Sequence, residues 1–450
     1  MTSTSTGTTA STGLLTDRYE LTMLEAALAD GTAGRRCVFE VFTRRLPAGR
    51  RYGVLAGTGR VLEALERFRF GTAELDWLAD ERVVGDATLA YLADYRFSGS
   101  IVGYAEGEAF FPSSPVLVVE GTFAEAVLLE TLALSILNYD SAVASAASRM
   151  TSAALERPVL EMGSRRAHEE AAVAASRAAV VAGFAGTSNL EAGRRYGLTT
   201  IGTAAHAFTL LHDDERTAFE AQVAAQGVGT TLLVDTYDVR RGVENALAVA
   251  GTALGAVRLD SGDLGVLAQE VRAQLDAAGA RATKITVTSD LDEYAIASLA
   301  VAPVDSYGVG TSVVTGSGAP TCGMVYKLVA RAGADGVLEP VAKASRSKVS
   351  VGGRKAAARR LGADGRAQEE VLVTGPDAAV RDWVSSEDGL RALHVPLVTD
   401  GVTDERWLGA AGVATAVRRH RASRDELPRG ARRLSADEAA VPTVTMQIGG

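Results

Sequence analysis

Short apolar runs, many of them β-branched, recur through the middle third of this 450-residue chain. Each ends in a polar cluster and is followed by an alanine-rich stretch with helical spacing. The instances are PVLEMGSRRAHEE from Pro158, AGFAGTSNLEAG from Ala182, LTTIGTAAHAF from Leu198, TTLLVDTYDVRRG from Thr230, AVRLDSGDLG from Ala256, KITVTSDLDE from Lys284 and VDSYGVGTSVV from Val304. Each spacing suits a βα unit. Repeated βα units predict a parallel sheet with polar residues gathered at the C-terminal strand ends, and about seven in one run favour a closed or nearly closed barrel over an open doubly wound sheet.

The flanks read differently. CVFEVFTRRLPAGRRYGVLAG, from Cys37, reads as strand and turn, and VLVVEGTF, from Val116, adds further β signal. From Glu125 to Ala154 apolar positions fall at helical spacing. After Lys343 short strands and charged turns return. The fold class expected is therefore α/β: an irregular parallel (β/α) barrel over residues 126–335, with a second α/β domain formed by both chain ends, 14–125 and 336–450. The residues after Arg421 carry many charges and read as a surface excursion. The Ser/Thr-rich start, residues 1–13, reads as a disordered tail. It has neither the basic nor the apolar region of a secretory signal. No apolar run is read as long enough for a membrane span.

Composition narrows the function classes. Hydrophobic residues make up 47% of the chain, enough for a sizeable core, and the net charge is -9. An acidic balance argues against a general grip on nucleic acid. It leaves room for an anionic ligand, which a local nest of arginine and backbone N–H groups can hold. The cysteines, Cys37 and Cys322, form no CxxC or Cys/His cluster, so no structural zinc site is expected and a reducing cytoplasm fits.

The polar clusters carry the candidate chemistry. In AVRLDSGDLG, Ser261 and the aspartates can cap the next helix. Alternatively, Asp260 and its neighbours take ribose hydroxyls or magnesium while Arg258 offers a planar fork to a carboxylate or phosphate. Arg165 and Arg166 in GSRRA are either solvated surface or anion ligands at a strand mouth. The small residues of SYGVGTSVVTGSG, including Gly308, Gly310 and Thr311, let backbone N–H groups approach a phosphate, or simply make a flexible turn. His206 in GTAAHAF is either a packed or surface histidine or a nucleophile. With DTYD on the next strand, an imidazole held by a carboxylate has a fixed tautomer and a basic free nitrogen that can attack a phosphoryl group. TDRYELTM reads as a helix start capped by Thr16 or Asp17, with Tyr19 in the first turn.

LLTDRYELTM, RRLPAGRRYGVLAG, EMGSRRAHEEA, GFAGTSNLEAGRRYG, IGTAAHAF, LLVDTYDVRRGVENAL, VRLDSGDL, TSDLDE, YGVGTSVV and MVYKLVA occur in this order between Leu14 and Arg360. As an ordered set they resemble the nicotinate phosphoribosyltransferase family. The resemblance implies an irregular α/β barrel with an accessory domain and a homodimer with shared active sites. It also implies transfer of phosphoribose from phosphoribosyl pyrophosphate to nicotinate, giving nicotinate mononucleotide and pyrophosphate in NAD biosynthesis. ATP, as co-substrate, is hydrolysed through a phosphohistidine, and Mg2+ is required. By position, His206 matches the phosphorylated histidine and Asp235 its carboxylate partner. Arg258 and Asp260, with Ser261 beside them, match the base and ribose site, Arg165 a substrate-binding arginine, and Gly308 to Thr311 the 5-phosphate loop. Tyr19 matches an aromatic supplied to the neighbouring subunit's pocket. Met162 stands where relatives often carry an aromatic.

The nearest alternative is a nicotinamide phosphoribosyltransferase. Its relatives carry a carboxylate where this chain has Ser188, and a serine there favours the acid substrate. A quinolinate phosphoribosyltransferase needs neither ATP nor a phosphohistidine, and His206 with Asp235 argues against it. A non-catalytic ligand-binding barrel is disfavoured by polar chemistry at every strand end considered.

Overall fold

The computed structural model describes residues 10–343, 351–383, 389–435 and 437–449. The chain divides into two compact units, one of residues 1–142 and 321–450, the other of residues 143–320. The boundary at 142 falls within the helix Glu130–Ala154.

The 143–320 unit holds one parallel sheet. Its strands are β1 (Val159–Glu161), β2 (Gly186–Thr187), β3 (Thr231–Leu233), β4 (Ala256–Leu259), β5 (Lys284–Val287) and β6 (Ser306–Val309). They lie in the order β2-β1-β6-β5-β4-β3, every neighbouring pair parallel. Leu232, Val257, Leu259, Ile285, Val287, Tyr307 and Val309 are buried. Both faces of such a sheet are covered, so its strands read as apolar runs rather than alternating ones. Helices follow the strands, and those after β2, β3, β4 and β5 start on side-chain caps. Asn189 accepts from Ala192 N, Asp238 from Arg241 N, Asp263 from Val266 N, and Asp292 from Tyr294 and Ala295 N.

The sheet curls as a half-barrel and does not close among the described residues. Its strand order is that of a barrel cut at one seam, between the stretch from Leu198 and β3. That stretch contributes only an isolated parallel bridge, Thr187 with Thr200. The chain at Gly202–Ala205 then turns to line a cavity instead of extending a ladder to β3.

The other unit carries a seven-stranded sheet built on Arg36–Thr43, which pairs antiparallel with Leu117–Thr122 and with Met324–Ala332. Met324–Ala332, within the span the sequence assigns to the barrel, belongs instead to this sheet because it pairs along Arg36–Thr43. A four-stranded sheet is built on Ala356–Leu361 and Ala367–Thr374. The segment after Arg421, expected as a surface excursion, completes the helix Gly409–Glu426 and adds the strand Thr443–Gln447 parallel to Ala367–Thr374. It is anchored by buried Ser423, Leu427 and Ala431. Of the expected tail, residues 1–9 lie outside the described residues. Thr12 is buried and donates to Ala64 O at 2.7 Å.

By length and composition only, the helical stretch Phe123–Ala154, 32 residues with mean hydropathy 1.3 in its apolar window, is long and apolar enough to cross a membrane. This differs from the sequence reading. Of that window 67% is buried inside the protein, the pattern of a core helix.

Candidate active site

A cavity of about 490 Å³ is lined by residues at the C-terminal ends of the parallel strands. This is where a parallel α/β sheet presents its loops. β1 leads to Met162, Ser164, Arg165 and Arg166; β2 leads to Ser188; the seam contributes Ile201 to His206; β4 supplies Arg258 and Asp260; β5 leads to Thr288, Ser289 and Asp290; β6 brings Gly308, Gly310 and Thr311.

The fold therefore gathers Arg165, Ser188, His206, Arg258, Asp260, Gly308, Gly310 and Thr311 from separate strand ends into one cavity. Asp235 and Ser261 are not in its lining. They stand beside Asp260: one Asp235 carboxylate oxygen accepts from Asp260 N at 2.8 Å and from the Ser261 hydroxyl at 2.7 Å. The other, Oδ1, is buried with no hydrogen-bond partner. Tyr19 belongs to the other unit, exposed on the helix Arg18–Asp30 that Asp17 precedes as N-cap residue. Partial desolvation, then Glu130 and Glu20, push its phenol up to about 12.

His206 opens the helix His206–Leu211. Its Nδ1 lies 3.1 Å from the Thr236 hydroxyl and its Nε2 lies 3.7 Å from Asp260 Oδ2. The expected contact with Asp235 is corrected: the carboxylate within ion-pair reach of the ring is Asp260. The reason is that Asp235 turns its accepting oxygen to the Asp260 amide and the Ser261 hydroxyl, leaving the neighbouring Thr236 for the imidazole.

Arg258 sits half-buried in β4. One terminal nitrogen donates to the Thr203 hydroxyl, and Nε is buried without a partner. Desolvation lowers its pKa; Asp260 and Asp235 act in the opposite direction and Arg165 adds to the lowering. The guanidinium remains charged, as arginine does in proteins. It is thus a cation flanked by carboxylates with donor capacity to spare.

Sequence reading missed the supporting hydroxyls. Thr288 donates to Asp260 Oδ1 and so orients that carboxylate. Thr203 fixes Arg258. Both follow apolar runs already singled out, so the strand-end rule, applied to TSDLDE and GTAAHAF residue by residue, reaches them. Gly308 is required by close packing, since a Cβ there would meet Thr288 Cγ2 at 2.5 Å and Met162 Sδ at 2.8 Å. No cluster of three or more His, Cys, Asp or Glu able to hold a metal by itself occurs among the described residues.

Residues 14–138 match the model of the nicotinate phosphoribosyltransferase (NAPRTase) N-terminal domain. The chain is 57% identical over 445 residues to nicotinate phosphoribosyltransferase pncB1 of Mycobacterium tuberculosis, covering 96% of this chain and 95% of that protein. It is 39% identical over 395 residues to the nicotinate phosphoribosyltransferase of Bacillus subtilis, covering 85% and 79%. The crystal structure of human nicotinic acid phosphoribosyltransferase superposes with a TM-score of 0.81 at 28% identity, over 96% of this chain and 97% of that one. Identity of this level along almost the whole length, with a matching fold, makes the chain a member of the nicotinate phosphoribosyltransferase family.

Proposed function

We propose that the 143–320 unit transfers phosphoribose from phosphoribosyl pyrophosphate to nicotinate. The bond from the ribose anomeric carbon to the pyrophosphate oxygen breaks, and one to the pyridine nitrogen forms. The products are nicotinate mononucleotide and pyrophosphate. The observation that carries the reading is the convergence of a forked cation, a ribose-type carboxylate and a small-residue turn on one cavity. Arg258 pairs with the nicotinate carboxylate, supported by Arg165, and Ser188 beside it adds no repelling charge. Asp260, oriented by Thr288, holds ribose hydroxyls. Gly308, Gly310 and Thr311 take the 5-phosphate on backbone N–H groups. Displacement at an anomeric carbon needs an oriented nucleophile and a stabilised leaving group more than proton transfer.

Mg2+ suits this donor set. The carboxylates of the cavity lining, Asp260 and Asp290, with Asp235 beside Asp260, are the hard oxygen donors that would hold it. Magnesium commonly takes one or two carboxylates together with substrate phosphates. When bound it supplies positive charge to the departing pyrophosphate.

In this reading His206 accepts the γ-phosphoryl group of ATP, with a P–O bond broken and a P–N bond formed, and water later cleaves the phosphohistidine. The Thr236 and Asp260 contacts support that role by orienting the ring. The active unit is a homodimer in which a second copy supplies Tyr19 to the pocket, the half-barrel serves as the family's irregular barrel, and both chain ends form the accessory domain. Cys37 and Cys322, both buried, fit a cytoplasmic setting.

The test is product formation from nicotinate, nicotinamide and quinolinate, each with Mg2+ and phosphoribosyl pyrophosphate, with and without ATP. Nicotinate alone should give mononucleotide, faster with ATP. His206→Ala should lose ATP hydrolysis and keep slow ATP-independent transfer. No product from nicotinate at any ATP level refutes the transfer; full ATP stimulation in His206→Ala refutes the phosphohistidine.

A further inference from the structure

We propose that Glu161 is a positioning residue that sets the geometry of the nicotinate side of the cavity, an inference resting on the phosphoribosyltransferase reading above. Glu161 ends β1 and is fully buried. It lies behind the cavity wall and is not part of its lining.

Its side-chain partners among the described residues are all neutral donors. Oε1 accepts from the Gly163 backbone N–H, and Oε2 accepts from the hydroxyls of Ser176, at 2.9 Å, and Thr187. Its own carbonyl accepts from Ser188 N at 2.8 Å. One residue therefore ties together the turn that leads into Ser164 and Arg165, the helix Glu169–Val181 through Ser176, and the end of β2 that leads into Ser188. A further bond closes the group: Asn189 Nδ2 donates to Ser164 Oγ at 3.0 Å.

A buried carboxylate is a costly way to fill space, and an apolar side chain of similar volume would pack more cheaply. What a carboxylate adds is acceptor-only chemistry with several lone pairs, matched here to donors converging from three segments. Removing it takes the acceptor from the Gly163 N–H and lets the hydroxyls fall back on Ala172 O, at 2.8 Å from Ser176, and on each other. The turn it holds has little slack, because a Cβ on Gly163 would meet Val314 Cγ1 at 2.3 Å and Gly310 O at 2.8 Å. Loss of the acceptor is therefore relieved on the other side, toward Arg165 and Ser188. Small misplacement of a substrate-holding group is enough to be seen in kinetics.

The experiment compares wild type, Glu161→Gln and Thr187→Val in the full-length chain, by thermal unfolding and by steady-state kinetics with each substrate varied. Both variants keep shape and remove, respectively, the charge and the hydroxyl on the Ser188 side. In Glu161→Gln the KM for nicotinate should rise about tenfold, the scale of one charge-assisted hydrogen bond, with kcat and the KM for phosphoribosyl pyrophosphate changing far less. Thr187→Val should move the same constant in the same direction by a smaller factor. It decides the matter if Glu161→Gln does not fold. A merely structural Glu161 predicts a lower yield of active protein with both KM values unchanged, and that result overturns the proposal while leaving the transferase reading intact. A wild-type protein inactive on nicotinate overturns both.

Discussion

At the scale of single residues, Arg258 is a cavity-lining cation with an unpartnered donor. It is half-buried among Asp260, Asp235 and Arg165, held at one nitrogen by Thr203, with Nε unpartnered. A buried unpaired donor is costly unless a ligand completes it. Arg258→Lys keeps the charge and loses the planar fork. It should raise the KM for nicotinate more than that for phosphoribosyl pyrophosphate. Truncating one partner of a buried charged hydrogen bond to a ligand costs roughly 2–5 kcal/mol, so Arg258→Ala should be nearly inactive. Steady-state kinetics on folded Arg258→Lys check this. An unchanged nicotinate dependence would leave the arginine as a support for its loop.

At the scale of elements, the stretch AVRLDSGDLG separates into parts with different work. Ala256–Leu259 is strand, and Asp260 and Ser261 turn toward Asp235. Gly262 takes φ +81°, a conformation that favours glycine. Asp263 then caps the helix Leu264–Ala277 through Val266 N at 3.2 Å. Capping and the cavity lining fall to different residues of one motif: Asp263 caps the helix, and Arg258 and Asp260 line the cavity. Asp263→Ala should therefore cost about 1 kcal/mol of stability, measured by denaturant unfolding, and leave both KM values unchanged. A changed nicotinate KM would show that the cap also positions Arg258 and Asp260.

At the scale of the whole molecule, the unit built from both chain ends carries a buried ionic network. Arg359, fully buried, pairs with Glu108 and Glu370. Burial alone would raise the Glu108 pKa, but Arg359, Arg391, Arg419 and the Ser423 hydroxyl outweigh it and bring it to about 2. Beside it, His420 is pushed down to about 3 by burial, then by Arg424 and Arg432, with Glu108 acting the other way. In the unfolded chain an imidazole protonates near 6.5 and a glutamate near 4.3. As pH falls below about 6.5, the unfolded state gains a proton that folded His420 refuses, so stability drops by up to about 1.4 kcal/mol per pH unit. Glu108 contributes stability fully above its unfolded pKa and loses it on the way down to about 2. His394, pushed down to about 4 mainly by desolvation, adds a loss of the same sign. Thermal unfolding between pH 7.5 and pH 5 should show both, and His420→Gln should make the slope shallower without abolishing it. Equal slopes in variant and wild type would remove His420 from the account.

What the sequence determined by itself was written locally. Apolar runs ending in polar clusters specify strands and the loops that follow them. Because parallel strands share one direction, those loops gather at one edge; hence Arg165, Ser188, His206, Arg258, Asp260 and Gly308 were readable as neighbours before any coordinate. Tertiary structure alone decided pairings between residues distant in the chain. It gave His206 Thr236 and Asp260 in place of Asp235, left the sheet open at Thr200, buried Glu161 under Gly163, Ser176 and Thr187, and drew the charged C-terminal segment into a strand beside Ala367–Thr374. Each of these depends on which side chains and strands the packed fold brings together, down to the distance between individual donors and acceptors. Composition and periodicity fix the face a residue presents, and only the packed fold fixes what meets it there.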